Sequence, residues 1–326
     1  MHKSKKRRSI IYTCVVLVLV LVMIYSGLRI VESTVSSSAT EAPVPSKTIT
    51  RNGIDYYPRQ DITVLLLIGV DRRGPAVDSG SYNNPGAADM VSLVIFDHAN
   101  EVCNVLSLNR DTIVEMPVLG IGGKLAGTRT AQLALSHTYG SGLNDSCENV
   151  VSTVSQLLYG VTVDHYISMG MDGIVLLNDA VGGVTVNNTE DFSAVDPSIP
   201  VGAVKLMGQQ AETFIRSRKD VGTQLNLSRM ERQKEYMKGF LTSLRAKLDE
   251  DSLFIPHTYE EMSPHIVTDC SVNVISGILD RYGDYPLNEV VSPAGENVLG
   301  EQYYEFYVDE EALDALVLRL LYAPKR

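Results

Sequence analysis

Four arginines and one glutamine lie close together in this chain, at spacings that could build a binding site for an anion. They are Arg216, Arg218, Arg229, Arg232 and Gln233. The first two are separated by one residue, so on an extended segment both guanidinium groups leave the backbone on the same face. The second pair is three residues apart and the glutamine follows directly, so on a helix these side chains also share a face. Converging guanidinium groups bind phosphates or carboxylates through paired hydrogen bonds.

A helix start is predicted inside the same stretch. Ser228 and Glu231 have the spacing of a capping box, and apolar residues at helical spacing follow them. Arg229 and Arg232 would then lie in the first turn, where the helix dipole is already positive and a bound anion would offset the added charge. The alternative is a set of solvated arginines that pair with acidic neighbours. Those neighbours are Asp220, Glu231 and Glu235.

Further charged side chains stand at the ends of three apolar runs that read as strands. The runs are residues 62–70, 90–96 and 102–108, and the charged residues are Asp71, Arg73, Asp89, Arg110 and Asp111. Ligands of α/β proteins collect beyond strand ends, so one cleft could receive these groups together with the four arginines. Two carboxylates that face several guanidinium groups suit Mg²⁺ and a diphosphate. For each aspartate taken singly, the alternative is a turn or a salt bridge.

The elements that must position these groups alternate between strand and helix. Helices are predicted at 130–139, 148–159, 172–180, 271–281 and 310–322, and further strands at 161–169, 184–187 and 303–308. Strands and helices that interleave without internal repeats predict a single α/β domain, in which helices cover both faces of a mixed central sheet.

The N-terminus predicts a membrane anchor. Residues 1–9 form a basic tail, and residues 10–28 are an uncharged apolar run about as long as a hydrocarbon core is thick. The basic flank predicts a cytoplasmic N-terminus, a linker over 29–60 and an extracellular domain over 61–326. The competing interpretation is a cleavable signal peptide, but the small residues around Ala39 lie far beyond the apolar run.

Composition limits the classes of partner. The formal net charge of -11 gives no indication of a nucleic-acid-binding protein. Cys103, Cys147 and Cys270 lie outside the apolar run, so at most one disulfide can form among them. The glycines before Lys124 lack the spacing of a phosphate-binding P-loop. No Cys/His spacing resembles a zinc site, and His137 and His165 are expected to be ordinary polar residues.

In their order along the chain, these segments resemble the LytR/CpsA/Psr family of membrane-anchored phosphotransferases. The matching elements are Gly69-Val-Asp71-Arg-Arg73, Asp89, Asn109-Arg110-Asp111, Lys124, Asp179-Ala-Val-Gly-Gly-Val184, Arg216 with Arg218, and Arg229 with Arg232-Gln233. The resemblance implies transfer of a teichoic-acid or capsule-type phosphoglycan from a polyprenyl diphosphate carrier to peptidoglycan outside the membrane. It also implies an apolar tunnel between sheet and helices for the polyprenyl tail.

The resemblance further implies a role for each matching residue. Asp71 and Asp89 would bind Mg²⁺, and the catalytic set would comprise Asp71, Asp89, Arg110 and Asp111. The groups that bind the diphosphate would be Arg73, Arg110, Lys124, Arg216, Arg218, Arg229, Arg232 and Gln233. Two other hypotheses stay open: a non-catalytic protein that binds a polyprenyl lipid or an envelope-assembly partner, and a hydrolase that cleaves the diphosphate with water.

Overall fold

The computed structural model describes residues 48–217, 219–222, 226–251, 254–271, 274, 277–278, 281–300 and 303–325. The predicted basic tail and membrane span lie outside these ranges, and so do Arg218 and most of the helix predicted at 271–281. Within the described ranges, no helix is both long enough and apolar enough to cross a membrane.

The strands and helices alternate along the chain. The strands are β1 (Ile49–Arg51), β2 (Ile54–Pro58), β3 (Ile62–Val70), β4 (Ala88–Asp97), β5 (Val102–Leu108), β6 (Ile113–Leu119), β7 (Leu125–Gln132), β8 (His165–Gly170), β9 (Val184–Asn188), β10 (Gly202–Leu206), β11 (Ile266–Thr268), β12 (Leu287–Val291), β13 (Gly295–Leu299), β14 (Tyr304–Val308) and β15 (Tyr322–Pro324). The α-helices are α1 (Asn144–Leu157), α2 (Met171–Ala180), α3 (Gln209–Arg216), α4 (Asn226–Glu250), α5 (Phe254–Met262) and α6 (Glu310–Leu321).

Six strands form the central sheet, in the order β11-β8-β3-β4-β5-β12. The sheet is mixed, because β3 pairs with β8 and β5 with β12 in parallel, whereas β4 is antiparallel to both of its neighbours. This pairing brings the end of β3, the start of β4 and the end of β5 to one edge. The edge is therefore where the charged residues that flank these strands can meet.

Both faces of the central sheet are covered by helices. Along β3, Leu65 and Leu67 pack into a core layer with α2, α3, α4 and α5, while Leu66 and Ile68 pack into a second layer with α1 and α6. Successive side chains of a strand point to opposite faces, so a strand buried on both faces has to be apolar throughout. The predicted mixed α/β domain is confirmed.

Several predicted elements agree with the structure. Strands β3 and β5 have the predicted bounds, and β4, α1, α2, β9 and α6 extend or shift the predicted segments by a few residues. The helix predicted at 130–139 is wrong. Residues 130–132 end strand β7, and Leu133–Thr138 form a 3-10 helix. Residues 49–58, which fall inside the predicted linker, include β1 and β2. These two strands pair with each other, and β2 also pairs with β15 near the C-terminus.

Smaller hairpins surround the central sheet. β6 pairs with β7, β9 with β10 and β13 with β14, each antiparallel. The β6–β7 and β13–β14 hairpins contact each other, since Thr112 forms a bridge with Phe306 and the Phe306 N–H donates to the Asp111 carbonyl over 2.8 Å. Both hairpins therefore lie beside the edge of the sheet at which β5 ends.

Candidate functional site

Backbone pairing brings Asp71 and Asp89 together at the edge of the central sheet. The Asp71 N–H donates to the Ala87 carbonyl over 2.9 Å. Gly69 pairs with Met90 and Val70 with Ala88, so Asp89 is the extra residue of a β-bulge. A bulge re-aims a side chain relative to a regular ladder. The two aspartates predicted from strand ends thus share one edge.

Four residues form what we call the inner cluster. They are Asp89, Arg110, Asp111 and Arg229. The Asp89 carboxylate lies between two guanidinium groups, since Oδ1 pairs with Arg110 and Oδ2 lies 3.4 Å from Arg229 Nη1. Arg229 also donates to the Asp89 carbonyl over 3.1 Å, and Arg110 Nε lies 3.3 Å from Asp111 Oδ1. The Arg229 side chain is only 2% exposed, so this arginine is a fixed part of the site.

Five residues form a second group, the outer cluster. They are Asp71, Arg73, Asp172, Glu212 and Arg216. The Glu212 carboxylate is buried and binds Arg73 over 2.6 Å and Arg216 over 2.8 Å. Arg216 also reaches Asp71 over 2.6 Å, and the Asp71 side chain is 49% exposed. The hydrogen bond that Arg73 donates to Glu212 raises the pKa of the Arg73 guanidinium, which therefore stays charged.

The start of α2 supports this outer cluster. Asp172, in the first turn of α2, accepts a hydrogen bond from the Gly74 N–H over 2.6 Å and lies 3.4 Å from Arg73. Gly170 packs against the backbone beside these residues, because a Cβ there would lie 2.9 Å from the Arg72 carbonyl oxygen. The close contact fixes the segment that follows β3 against the end of β8.

Arg232 and Gln233 are placed differently from their prediction as diphosphate ligands. Arg232 donates to the Phe214 carbonyl over 2.8 Å and to the Ser217 carbonyl, and Gln233 donates to the Ile215 carbonyl over 3.3 Å. Phe214 and Ile215 belong to the last turn of α3 and Ser217 follows it, so no N–H group of a next helical turn is there to bind these carbonyls. Both side chains therefore hold the end of the helix that carries Arg216.

The arginine stretch also differs locally from the prediction. Arg216 is the last residue of α3 and does not lie on an extended segment. Helix α4 begins at Asn226, and the Ser228 hydroxyl donates to Glu190 Oε1 over 2.6 Å, so Ser228 does not form the predicted capping box. Glu190 in turn lies 2.9 Å from Arg232 Nε.

Lys124 lies in the turn that joins β6 to β7, and it is a member of neither cluster. It follows a turn of 3-10 helix in the β6–β7 hairpin, its side chain is exposed, and no ion pair between described residues includes it. Its carbonyl accepts from the Gly120 N–H over 2.7 Å, which closes the hairpin turn. The turn gives a structural reason for the glycines in this segment.

Two members of the outer cluster were missed at the level of sequence. Glu212 precedes Arg216 by four residues, which is the spacing of an ion pair on a helix. The pair could have been predicted if α3 had been predicted as a helix. Asp172 could not be found in this way, because its position depends on the parallel pairing of β3 with β8. The Glu212–Arg216 contact can thus be inferred from sequence spacing, whereas the Asp172–Arg73 contact requires the pairing of the sheet.

Three cysteines and two histidines were considered in the sequence and are members of neither cluster. Cys103, Cys147 and Cys270 are buried thiols. His137 Nδ1 lies 2.7 Å from the Gly86 carbonyl oxygen, and burial lowers the pKa of His137 to about 4. Among the described residues, one group of three potential metal-binding side chains occurs, His165, Asp269 and Cys270, at the β8–β11 edge.

Comparison with known proteins places the fold in a family. A polyisoprenyl-teichoic acid–peptidoglycan teichoic acid transferase TagU of Oceanobacillus iheyensis is 26% identical over 327 residues, covering 95% of this chain and 92% of the relative. A TagU of Enterococcus faecalis is 28% identical over 241 residues, covering 74% of this chain and 72% of the relative.

Solved structures share the architecture. A protein of Streptococcus agalactiae superposes with a TM-score of 0.63 at 26% identity, covering 80% of this chain and 86% of its own. The structure of TagT bound to LI-WTA superposes with a TM-score of 0.59 at 20% identity, covering 80% and 90%. The model of the LytR_cpsA_psr family matches residues 24–319, and the chain therefore belongs to this family.

Proposed function

We propose that this protein transfers a phosphoglycan of the teichoic-acid or capsule type from a polyprenyl diphosphate carrier to peptidoglycan, on the outer side of the membrane. The observation that carries the proposal is the meeting of Asp71 and Asp89 with four arginines at one edge of the sheet. Those arginines are Arg73, Arg110, Arg216 and Arg229. The printed names of the TagU relatives describe the same class of reaction.

The outer cluster would receive the donor diphosphate. Arg73 and Arg216 are both partly exposed and both anchored on Glu212, so their free donors can turn to phosphate oxygens without losing that anchor. The Asp71 carboxylate, now paired with Arg216, would then be released. Binding is thus an exchange of one anion for another at the same guanidinium groups.

The chemical step is a substitution at phosphorus. A hydroxyl oxygen of the acceptor sugar attacks the glycan-linked phosphorus, the bridging P–O bond breaks, and its electron pair leaves with polyprenyl phosphate. The hydroxyl proton passes to Asp111, which contacts Arg110 but is not one of the two carboxylates that would hold a metal. Arg110 would stabilise the charge on the phosphoryl oxygens as the substitution proceeds.

Asp71 and Asp89 would hold Mg²⁺. Their carboxylate oxygens lie on adjacent strand ends that the Asp71–Ala87 hydrogen bond ties together, and oxygen ligands are what this cation prefers. The chemistry that Mg²⁺ supplies when bound is neutralisation of charge on the phosphoryl oxygens. We further propose that residues 10–28 anchor the chain in the membrane, with the cytoplasmic tail preceding them and the catalytic domain outside.

The decisive test is turnover by the full chain in detergent or vesicles. We expect the protein, supplied with lipid-linked glycan, Mg²⁺ and peptidoglycan, to release polyprenyl phosphate and to attach the glycan to the acceptor. Asp71→Asn should lower the rate by about a hundredfold or more, because the residue would lose the negative charge with which it would hold Mg²⁺. Asp61→Asn is the matched control, since Asp61 is 48% exposed and also pairs with an arginine, Arg59, but lies at the opposite end of β3.

Three results would contradict the proposal. Tight binding of the lipid without turnover would make the chain a carrier or assembly protein. Release of polyprenyl phosphate with the glycan left free would make it a hydrolase. Equal rates for Asp71→Asn and Asp61→Asn would remove the catalytic role of the site.

A further inference from the structure

A cleft of about 420 Å³ opens between the β6–β7 and β13–β14 hairpins, outside both clusters. Its lining includes Arg129, Gln132, Leu135, Tyr303, Glu305 and Tyr307. None of these side chains belongs to the inner or outer cluster. The cleft therefore has a lining of its own, which combines exposed rings with planar polar groups.

The cleft begins where the candidate site ends. Gln132 Nε2 donates to Asp111 Oδ1 over 3.3 Å and to the Tyr304 carbonyl over 2.7 Å. The Phe306 N–H donates to the Asp111 carbonyl over 2.8 Å. The wall of the cleft and the residue assigned to take the acceptor proton are thus joined through one side chain and one backbone contact. A molecule in the cleft would extend toward Asp111.

The two tyrosines of the cleft present their rings to solvent. Tyr303 is 69% and Tyr307 is 50% exposed, whereas Phe306 between them is buried and holds the hairpin down. The Tyr307 hydroxyl donates to Glu305 over 2.7 Å, which orients its ring. Aromatic residues combine an apolar face with a polar tip, so an exposed pair beside a cleft indicates a ligand with both characters.

Sugar rings have this combination. Their C–H faces stack on aromatic rings, and their hydroxyls bond to planar amide, carboxylate and guanidinium groups such as those of Gln132, Glu305 and Arg129. The cleft offers one cation and one carboxylate, in contrast to the arginine-rich clusters. That balance suits an uncharged sugar and does not suit the anionic donor polymer.

We infer that this cleft binds sugar rings of the acceptor glycan strand and directs one of their hydroxyls toward Asp111. The inference rests on the proposed function, because it names the acceptor of that reaction. It does not follow from that function, since an acceptor could approach the edge of the sheet from other sides. Tyr307 and Tyr303 would supply the stacking faces, and Gln132 would connect the bound sugar to the proton acceptor.

Binding is measured by calorimetry on the full chain in detergent, with soluble N-acetylglucosamine–N-acetylmuramic acid glycan fragments that carry no stem peptide and whose lactyl carboxyls are amidated, so that the fragments are uncharged. Tyr307→Ala should weaken binding by about tenfold through loss of the stacked ring, while Tyr307→Phe should bind about as well as the native chain. Tyr304→Ala is the matched control, because Tyr304 lies in the same strand, is exposed, and does not line the cleft. It should bind the fragments normally.

The turnover assay separates this inference from the proposed function. Where transfer occurs, Tyr307→Ala should raise the KM for peptidoglycan by about tenfold and leave the Kd for the lipid-linked donor unchanged. If the native chain binds the fragments and Tyr307→Ala does not, the cleft assignment stands even in the absence of transfer. Equal binding by Tyr307→Ala and the native chain, no binding by either, or binding only of fragments with stem peptides would overturn it.

Discussion

The two charged clusters at the edge of the sheet contain the same kinds of side chain in opposite surroundings. In the inner cluster, Arg229 is buried and donates both to the carboxylate and to the backbone carbonyl of Asp89. In the outer cluster, Arg73 and Arg216 remain partly exposed and share one buried anchor, Glu212. Withdrawing a charge from water costs several kcal/mol, so a buried ion pair has little freedom to change partners.

The difference indicates that the two clusters have different roles. The inner cluster holds Asp89 and Arg110 in place before any substrate arrives, and preorganised charge is what stabilises a transition state. The outer cluster is partly exposed to solvent and contains an exchangeable carboxylate, Asp71, so it can accept a phosphate at small cost. We therefore expect inner substitutions to affect folding and catalysis together, and outer substitutions to affect mainly the binding of the donor.

The largest expected effect on stability is that of Arg229→Ala. The change leaves a cavity at a buried position and removes one of the two cations that compensate Asp89, which should cost about 3–5 kcal/mol of unfolding free energy. Urea unfolding followed by circular dichroism measures it. The control is Arg319→Ala, whose partner Glu289 lies at the surface, and which should cost less than about 1 kcal/mol. Equal losses of unfolding free energy in Arg229→Ala and Arg319→Ala would contradict the structural role of the inner cluster.

The unfolding free energy should depend on pH because of the loop between β3 and β4, which joins the two clusters. His137 holds this loop at Gly86, and burial lowers its pKa to about 4, with Arg72 lowering and Asp145 raising it. An unfolded histidine titrates near 6.5, so between these values the unfolded chain binds a proton that the folded chain does not, and stability falls as pH falls. Unfolding free energy should drop by about 2 kcal/mol from pH 7 to 5 through this residue.

The His137 prediction is checked with His137→Gln, which cannot titrate. This variant should be less stable than the native chain at pH 7, because the hydrogen bond to Gly86 is altered, but its stability should change less between pH 7 and 5. A native chain whose unfolding free energy is the same at both pH values would contradict the role of the buried neutral imidazole.

The smallest expected effect on stability comes from Glu212→Gln, and here the effect on binding should be the larger one. A glutamine keeps the Oε1 that accepts from both Arg73 and Arg216 but has an amide group in place of Oε2. Arg73 therefore loses one of its two hydrogen bonds, and both arginines lose the negative charge of their anchor. We expect a loss of about 1 kcal/mol in unfolding free energy and about a tenfold rise in the Kd for a polyprenyl diphosphate. Glu289→Gln is the control for an exposed pair. An unchanged Kd for the donor in Glu212→Gln would contradict the role of the outer cluster in donor binding.

The central sheet was predicted well from the sequence, whereas the β6–β7 hairpin was not, and both outcomes have physical reasons. Strands buried on both faces are continuous apolar runs, so the bounds of β3 and β5 could be read directly from the sequence. The β6–β7 hairpin projects polar side chains into solvent, and β7 carries no apolar alternation that distinguishes it from a helix or loop. Arg129 and Gln132 of the cleft were missed for the same reason, whereas Tyr303, Glu305 and Tyr307 lie in a segment that was predicted as a strand.

The candidate site was predicted in part. Strand ends indicated Asp71, Asp89 and Arg110 because pairing within one sheet brings such positions together. The four-arginine pattern did not separate Arg229, which reaches Asp89, from Arg232, which binds the end of α3. Both lie on one face of α4, and only the packing of α3 against α4 decides what each can reach. Arg218 lies outside the described residues and stays a prediction.

The most direct test of the account is a crystal structure of the protein with a non-hydrolysable polyprenyl diphosphate glycan. We expect electron density for the diphosphate within about 3 Å of Arg73, Arg216 and Arg110, with Asp71 released from Arg216 and Arg229 still bound to Asp89. A diphosphate bound elsewhere, while the outer cluster keeps every ion pair described above, would contradict the proposed donor site.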